Sequence, residues 1–274
     1  MTKAHIDSIL PIKNRVLSAD ENTCFLAHYD LNEHDSLRGI RAIGNPNALQ
    51  LNGAQQGVRI AHNDILTTQT TMTLEAWIYP TGLPSNDRGI IIEKQGNYYL
   101  TLTPTYKIET YWYTTTPAGY HQSTSSVPLN TWSHVAATWD GTNMRIYING
   151  VLDKTIAVTG VGSINSGPLV IGDENDNRHF NGRISDARVW GIARNQQQIL
   201  SGMYGVSPES SELKALWKLD EGRGLVARDS SPYHNDGTIG GATWSTGNSV
   251  FTLRPGEGYF GGGAIAVEEG TTNI

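Results

Sequence analysis

The sequence is poor in cysteine and in charge. Cys24 is the one cysteine among 274 residues, which excludes an intramolecular disulfide. Lys, Arg, Asp and Glu make up 17% of the chain, a low fraction for a helical protein. The formal net charge is −6 and no basic run occurs. This argues against a general nucleic-acid binder, because phosphate neutralisation requires clustered Lys and Arg.

Long apolar runs are also missing. No stretch approaches the roughly 18 apolar residues that indicate a membrane span. Residues 1–16 lack the apolar core of about 7–15 residues that a signal peptide needs. We therefore expect neither a membrane span nor a signal peptide in this sequence.

Turn-forming and aromatic residues are abundant instead. The 30 Gly, 11 Pro, 7 Trp and 12 Tyr suit an all-β fold with many turns. Between residues 131 and 158, three short alternating runs are separated by Asp140-Gly141 and Asn149-Gly150, dipeptides typical of tight hairpins. This predicts a three-stranded meander whose inward residues are Val135, Ala137, Trp139, Met144, Ile146, Ile148, Leu152, Ile156 and Val158.

Further alternating runs indicate about a dozen strands. Residues 48–61 form a hairpin-like pair around Asn52-Gly53, and residues 193–203 are the one convincing helical stretch. The remaining strand predictions fall in residues 24–36, 71–82, 89–104, 106–115, 168–174 and 180–191. Strands at this spacing predict an all-β, antiparallel two-sheet jelly-roll sandwich with one short helix and an extended C-terminal segment.

A partial internal repeat suggests the domain organisation. Residues 29–33 (YDLNE) are echoed by residues 217–221 (WKLDE), each after an apolar lead-in. We predict an N-terminal arm over residues 1–23, a β-domain over 24–204, and a segment over 205–274 that resembles the opening of a second module. The absence of an evident ending suggests that the chain is cut from a longer protein.

Three separated motifs carry a resemblance to a known family. LEAWIYP, NTWSHVAATWDGTNMRIYINGVL and LVIGDENDNRHFNGRISDARVWGIAR resemble, in order and spacing, the laminin-G-like, concanavalin A-like jelly-roll domains. The resemblance implies two curved antiparallel sheets and, for many members, glycan binding with a structural Ca²⁺. The tail RPGEGYFGGGAIAVEEGTTN resembles segments of phage and prophage tail-associated structural proteins.

The acidic loop over residues 172–177 is the candidate metal site. Ca²⁺ takes six to eight oxygen ligands, and this loop offers several. The loop is similar to the calcium loop of pentraxins, which implies that Glu174, Asn175 and Asp176 are ligands and Asn97 is a partner from a neighbouring loop. A solvated turn without metal is the alternative.

A second candidate calcium set consists of Asn52 and Asp186. It is weakened by Ser185, which stands where the family often has Asp.

The run from Tyr106 to His121 is rich in aromatic residues and is the candidate sugar contact. Sugar rings stack on aromatic faces, and His can hydrogen-bond to hydroxyl groups. Alternation places Trp112 in the core and points Tyr111 and Tyr113 the other way. We therefore predict that carbohydrate contacts Tyr111, Tyr113, Tyr120 and His121.

Catalysis is not expected, although the fold also hosts glucanases. Retaining hydrolysis needs two carboxylates about 5–5.5 Å apart. Glu75 and Glu109 stand alone in their strands, and the acidic residues of the 172–177 loop lie outside any β-run.

The combined expectation is a non-catalytic, lectin-like recognition module of a phage or prophage tail-associated structural protein, located in the virion or outside the cell. Its partners would be a cell-surface glycan or polysaccharide and other tail subunits. Two alternatives remain open: an assembly domain that binds no sugar, or a carbohydrate-binding module of a larger glycoside hydrolase.

Overall fold

A computed structural model describes residues 43–44, 47–67, 70–84, 87–173, 178–246 and 251–252. The chain divides into two units, Met1–Ala42 and Ile43–Ile274, and all described residues belong to the second. The first strand predicted from the sequence, over residues 24–36, lies outside the described residues. No described helix is long and apolar enough to cross a membrane.

The described unit consists almost entirely of antiparallel strands. One short helix, α1, spans Gln196–Gly202. The strands are β1 Ile43–Gly44, β2 Asn47–Asn52, β3 Gly57–Ile60, β4 Met72–Pro80, β5 Gly89–Lys94, β6 Tyr98–Leu102, β7 Lys107–Trp112, β8 Thr115–Thr116, β9 His121–Ser126, β10 Ser133–Trp139, β11 Asn143–Ile148, β12 Val151–Ala157, β13 Thr159–Gly160, β14 Leu169–Ile171, β15 Asn181–Trp190, β16 Leu213–Trp217, β17 Val226–Ala227, β18 Gly237–Gly240, β19 Thr243–Thr246 and β20 Phe251–Thr252.

Two eight-stranded sheets form the sandwich. Sheet I has the order β12-β11-β10-β4-β15-β2-β19, with β16 also paired to β15. Sheet II has the order β17-β18-β3-β14-β5-β6-β7-β9. The pairs β1–β20 and β8–β13 stand apart from both sheets. The predicted all-β, two-sheet architecture with one short helix is confirmed.

The core lies between the inner faces of the two sheets. Strands from both sheets supply one contiguous apolar cluster, which includes Leu74, Ile92, Trp112, Trp139 and Trp217, all with 0% exposure. Period-2 alternation along each strand sends every second side chain into this cluster. Burial of such large side chains is the main favourable contribution to folding.

The predicted meander is confirmed as β10, β11 and β12, but one residue was assigned to the wrong face. The register between β11 and β12 shifts between Ile146 and Tyr147, so Leu152 lies opposite Tyr147 and is 41% exposed. Ile156, opposite Met144, packs against the core as predicted. A β-bulge adds one residue to one strand and thereby reverses the alternation beyond it.

The predicted hairpin at residues 48–61 was wrong in its pairing. β2 pairs with β15 and β19 in sheet I, whereas β3 pairs with β14 and β18 in sheet II. The turn after Asn52 therefore carries the chain from one sheet to the other. Alternation cannot distinguish the two arrangements, because Leu51 and Val58 point into the same core in either case.

The C-terminal segment takes part in both sheets. β16 pairs with β15 and β19 with β2 in sheet I, while β18 pairs with β3 in sheet II. Asp229, which is 3% exposed, joins this segment by accepting hydrogen bonds from the backbone of Leu216, Ser231 and Asn235. The hydrogen-bonded sandwich thus extends past residue 204, where the sequence suggested a boundary.

A cluster of buried charges lies on the outer face of sheet I. Glu75, fully buried on β4, forms ion pairs with Arg194 and with Arg188, and lies 3.3 Å from His134. The Arg188 Nη1 and Arg194 Nη2 groups donate to the carbonyls of Gly202 and Gln198 in α1. The cluster therefore fixes α1 over sheet I. The helix begins with a capping box between Asn195 and Gln198.

The charge of Glu75 is maintained by its neighbours. Burial alone would raise the pKa of this carboxyl, but His134, Arg194 and Arg188 outweigh that effect and lower the pKa to about 2. A lowered pKa contributes stability that is complete above the ordinary value of 4.5 and is lost as the pH falls toward 2.

We predict that Glu75→Gln destabilises the protein most at neutral pH. The loss in free energy of unfolding should be on the order of 3 kcal/mol at pH 7 and should shrink between pH 5 and pH 2. Urea unfolding of both proteins at several pH values measures this difference. Glu212→Gln, which changes an exposed carboxylate in the turn before β16, is the control. A loss of free energy of unfolding in Glu75→Gln that stays constant with pH would contradict the lowered pKa of Glu75.

Candidate functional site

A row of outward-facing residues crosses sheet II. Cross-strand pairs join Thr238 to Arg59, Arg59 to Val170, Val170 to Glu93, Glu93 to Tyr99 and Tyr99 to Tyr111. Their neighbours along each strand, such as Ile92 and Leu100, belong to the core. Alternation therefore directs the row away from the core. One face of sheet II thus carries polar, charged and aromatic groups from five strands, with Val170 of β14 between them.

A cavity of about 450 Å³ opens on one part of this row. Its volume is in the range of about 300–1,000 Å³ that is usual for ligand pockets. It is lined by Gln55, Gly57, Val58, Arg59, Glu93, Gln95, Val170, Asp173, Thr238, Gly240 and Gly241. Charged, amide and hydroxyl groups converge here with exposed backbone, an arrangement that suits a polar ligand.

Close backbone packing shapes the cavity. A Cβ atom on Gly57 would lie 2.5 Å from the carbonyl oxygen of Ile171 and 2.7 Å from Cβ of Asp173. Only glycine allows β3 and the end of β14 to approach this closely. Asp173 in turn is hydrogen-bonded to Nδ1 of His179, which is 6% exposed. Gly57 therefore lets β3 meet the end of β14 at this wall of the cavity.

Four tyrosines cluster beside the cavity at the end of the row. The rings of Tyr99 and Tyr111 are stacked with centroids 5.2 Å apart and an interplanar angle of 17°. Tyr113 meets Tyr111 edge-on at 4.8 Å, and Tyr120 lies 5.2 Å from Tyr111. Tyr99 is 1% exposed, whereas Tyr120 is 45% exposed. The cluster therefore has a buried base and an accessible top.

A buried carboxylate holds the top of this cluster in place. Glu109, on β7, is fully buried and forms an ion pair with Arg88. Its other oxygen accepts a hydrogen bond of 2.8 Å from Nε2 of Gln122. The guanidinium carbon of Arg88 lies 3.7 Å from the centroid of the Tyr120 ring, a cation–π distance. Arg88 thus connects Glu109 to Tyr120.

The structure brings together three of the four residues predicted to contact sugar. Tyr111, Tyr113 and Tyr120 lie in the cluster described above. His121 does not join them, because it pairs with Thr110, whose neighbours Glu109 and Tyr111 point to the opposite face. Burial lowers the pKa of His121, so the imidazole is neutral at pH 7. Sugar contact by any of the four stays a prediction.

The predicted calcium ligands Glu174, Asn175 and Asp176 lie outside the described residues. Asn97 is described and is fully buried in the turn after β5, where its Nδ2 donates to the carbonyl of Ser163. Across the described ranges, no three His, Cys, Asp or Glu side chains gather as a metal site would require. The calcium site stays a prediction.

The second proposed calcium set is not brought together as a site. Asp186 is 3% exposed and forms an ion pair with Arg188. The Oδ1 atom of Asn52 accepts a hydrogen bond from the backbone of Ala54. Each group is engaged locally, within two residues of its own position.

Sequence reasoning missed the groups that line the cavity. Arg59, Glu93, Gln95 and Thr238 come from three separate stretches of the chain, and no local motif surrounds them. The available signal was the outward position of Arg59 and Glu93 in otherwise apolar strands. Without the strand order, nothing indicates that those positions meet.

Comparison with known proteins identifies relatives of this domain. The family model described as the concanavalin A-like lectin/glucanases superfamily matches residues 52–200. Pappalysin-1 of Mus musculus is 38% identical over 78 residues, which are 26% of this chain and 5% of pappalysin-1. Pappalysin-1 of Homo sapiens is 36% identical over 80 residues and also has 5% of its length covered.

A solved structure is similar over most of the chain. It is that of a protein from Bacteroides ovatus proposed to bind carbohydrate, with a TM-score of 0.63 and 25% sequence identity. The match covers 74% of this chain and 60% of the Bacteroides chain. The chain therefore spans less than two thirds of the length of each of these relatives.

We predict that the two carboxylates beside Arg88 differ in their contribution to stability. Glu109→Gln should lower the free energy of unfolding by about 3 kcal/mol, because it removes the fully buried charged partner of Arg88 and leaves that guanidinium only the exposed Asp87. Asp87→Asn is the control, since the Asp87 side chain is 56% exposed and also pairs with Arg88. It should cost less than about 1 kcal/mol. Equal losses of free energy of unfolding in the two variants would show that the Glu109–Arg88 pair contributes no more to stability than the Asp87–Arg88 pair.

Proposed function

Because the chain belongs to the concanavalin A-like lectin/glucanases superfamily, we propose that its jelly roll is a non-catalytic carbohydrate-binding module. One observation carries the proposal: the polar cavity and the tyrosine cluster lie on the same face of sheet II, joined by the pair Glu93–Tyr99. The likeness to the Bacteroides ovatus protein supports it.

The two parts of the face would have different roles in binding. In the cavity, Arg59 and Thr238 are exposed and can hydrogen-bond to sugar hydroxyls, as can the exposed Gln95 amide. In the cluster, the exposed Tyr120 ring offers an apolar surface against which a sugar ring can pack. A polar pocket beside a rigid aromatic group distinguishes a sugar from a wholly apolar or wholly ionic ligand.

The absence of catalysis is part of the proposal. Glu109 is buried and paired with Arg88, and Glu75 lies on the other sheet among two arginines. Neither is available as a general acid. Glu93 and Asp173 both line the cavity, but Asp173 is paired with His179. Hydrolysis would require two carboxyl groups, one as the acid and one as the carboxylate, at the same glycosidic bond. We propose that the carboxyl groups named above do not form such a pair.

We also propose the setting and the cofactor on the resemblances found in the sequence. The tail over residues 254–273 supports a phage or prophage tail-associated structural protein, in the virion or outside the cell, with other tail subunits as partners. The acidic loop supports Ca²⁺ held by Glu174, Asn175 and Asp176, which directly follow the cavity residue Asp173 in the sequence.

The expected outcome of a binding assay follows from the exposed residues of the face. In affinity gel electrophoresis against bacterial surface and plant cell-wall polysaccharides, we expect at least one to retard the protein. Tyr120→Ala and Arg59→Ala should each weaken that binding by about tenfold, equivalent to 1.4 kcal/mol.

Matched controls exist elsewhere on the chain. Tyr233→Ala removes a tyrosine that is 40% exposed, and Arg223→Ala removes an exposed arginine. Both should leave binding unchanged. No retardation by any polysaccharide, together with a defined oligomer in solution, would instead favour an assembly domain. Release of reducing ends from a bound polysaccharide would overturn the absence of catalysis.

Calcium binding is expected to raise thermal stability. An ion that binds only the folded state adds about 2.7 kcal/mol at a concentration of 100 times its Kd. Melting in millimolar CaCl₂ against EDTA should therefore show a higher Tm for the wild type and no difference for Asp176→Ala. Asp64→Ala, whose side chain is 98% exposed, is the control and should keep the shift. A shift retained by Asp176→Ala would place the ion elsewhere, and no shift in the wild type would remove the proposal.

A further inference from the structure

A second row of polar and aromatic residues crosses the outer face of sheet I, on the other side of the sandwich. Thr243 pairs with Gln50, Gln50 with Arg183, and Arg183 with Tyr79. Their strand neighbours Leu49, Ile78 and Ile184 belong to the core. The row therefore points away from the core. It begins beyond the part of sheet I that α1 and the buried charges cover.

Two aromatic rings extend this row. Trp132 lies 5.5 Å from Tyr79, measured between ring centroids, with an interplanar angle of 58°. Trp132 also packs against the cluster of Trp77 and Met203, which anchors it to the protein. Both Tyr79 and Trp132 are half-buried. The result is a fixed aromatic surface that still reaches solvent.

Arg183 lies beside these rings with most of its donors unused. Its guanidinium carbon is 4.9 Å from the centroid of Tyr79, and its Nε donates a hydrogen bond of 3.0 Å to Oε1 of Gln50. Within the described part of the chain, Arg183 has no carboxylate partner, and its Nη1 is buried without a hydrogen-bond acceptor. Arginine has five N–H donors, so an acceptor arriving here would satisfy groups that the protein leaves unpaired.

We propose that Trp132, Tyr79, Arg183 and Gln50 form a second binding site, specific for a saccharide that carries a carboxylate. The guanidinium would donate a charge-assisted hydrogen bond to the carboxylate from Nη2, because Nε already donates to Gln50 and Nη1 is buried. The sugar ring would lie against Trp132 and Tyr79, and the amide of Gln50 holds the guanidinium in position. Charge complementarity favours a carboxylate on this ligand, because the Arg183 guanidinium has no carboxylate partner among the described residues. The guanidinium also lies next to the apolar ring of Tyr79, against which a sugar ring can pack.

This site is independent of the one proposed on sheet II. The two sites lie on the outer faces of opposite sheets, so one domain could hold two saccharide segments at once. Two weak contacts on one polysaccharide reinforce each other when both can be reached together. Either site can also fail without affecting the other.

Site-resolved NMR tests the proposal with a galacturonate tetramer and its fully methyl-esterified form as probes. The indole N–H signal of Trp132, assigned with Trp132→Phe, should shift on addition of the tetramer and not of the ester. Arg183→Gln should raise the Kd for the tetramer by about tenfold or more. Arg183→Lys, which keeps the charge without the planar fork, should fall between Arg183→Gln and the wild type.

Controls separate this site from the cavity. Arg59→Ala, on sheet II, should leave the Trp132 response unchanged, whereas Arg183→Gln should leave any binding at the cavity intact. A Trp132 signal that responds to neither probe would overturn the proposal, as would equal responses to the tetramer and the ester. A Trp132 signal that shifts with protein concentration alone would show that this face joins two copies of the chain, which would also overturn it.

Discussion

Sheet I depends on the pairing of β15 with β4 at its centre. The two halves of β15 have different partners on the other edge: residues 181–184 pair with β2 and residues 187–190 with β16. A register shift between Ser185 and Arg188 separates the halves, and Asp186 there adopts a φ of 53°. A segment that precedes β4 in the chain and a segment that follows α1 are thereby joined to one strand.

The same irregularity organises the charges that fix the helix. Asp186 and Arg188 form an ion pair across the bulge, and Arg188 reaches both Glu75 and the carbonyl of Gly202. In a regular strand, the register of β15 with β4 would continue unchanged from Ser185 to Arg188. Here β15 has one extra residue between these two pairs. Buried charges are costly unless they are paired, and here two carboxylates face two arginines. The bulge and the cluster therefore support each other.

Much of the fold could be predicted from local pattern, and the failures have one origin. Alternation and turn dipeptides identified the meander, because β10, β11 and β12 are consecutive and pair with each other. They failed at β2 and β3, which are consecutive but belong to different sheets, and at Leu152, where a bulge reverses the faces. A sequence pattern shows which side of a strand is apolar, but it does not show the strand's neighbour. Tyr111, Tyr113 and Tyr120 were found because they lie close together in the sequence. Tyr99 and the cavity groups were missed because they come together only through strand order.

The tyrosine cluster and the cavity would contribute in different ways to binding the proposed saccharide. Rings that pack on each other, as Tyr99 and Tyr111 do, use their faces for stability and leave less surface for a ligand. They gain rigidity in return, so a ligand that meets Tyr120 does not have to order it first. The cavity has the opposite character, with exposed polar groups on Arg59 and Thr238 and little aromatic surface. A saccharide, which is polar at its rim and apolar across its ring faces, matches the two features taken together better than it matches either one.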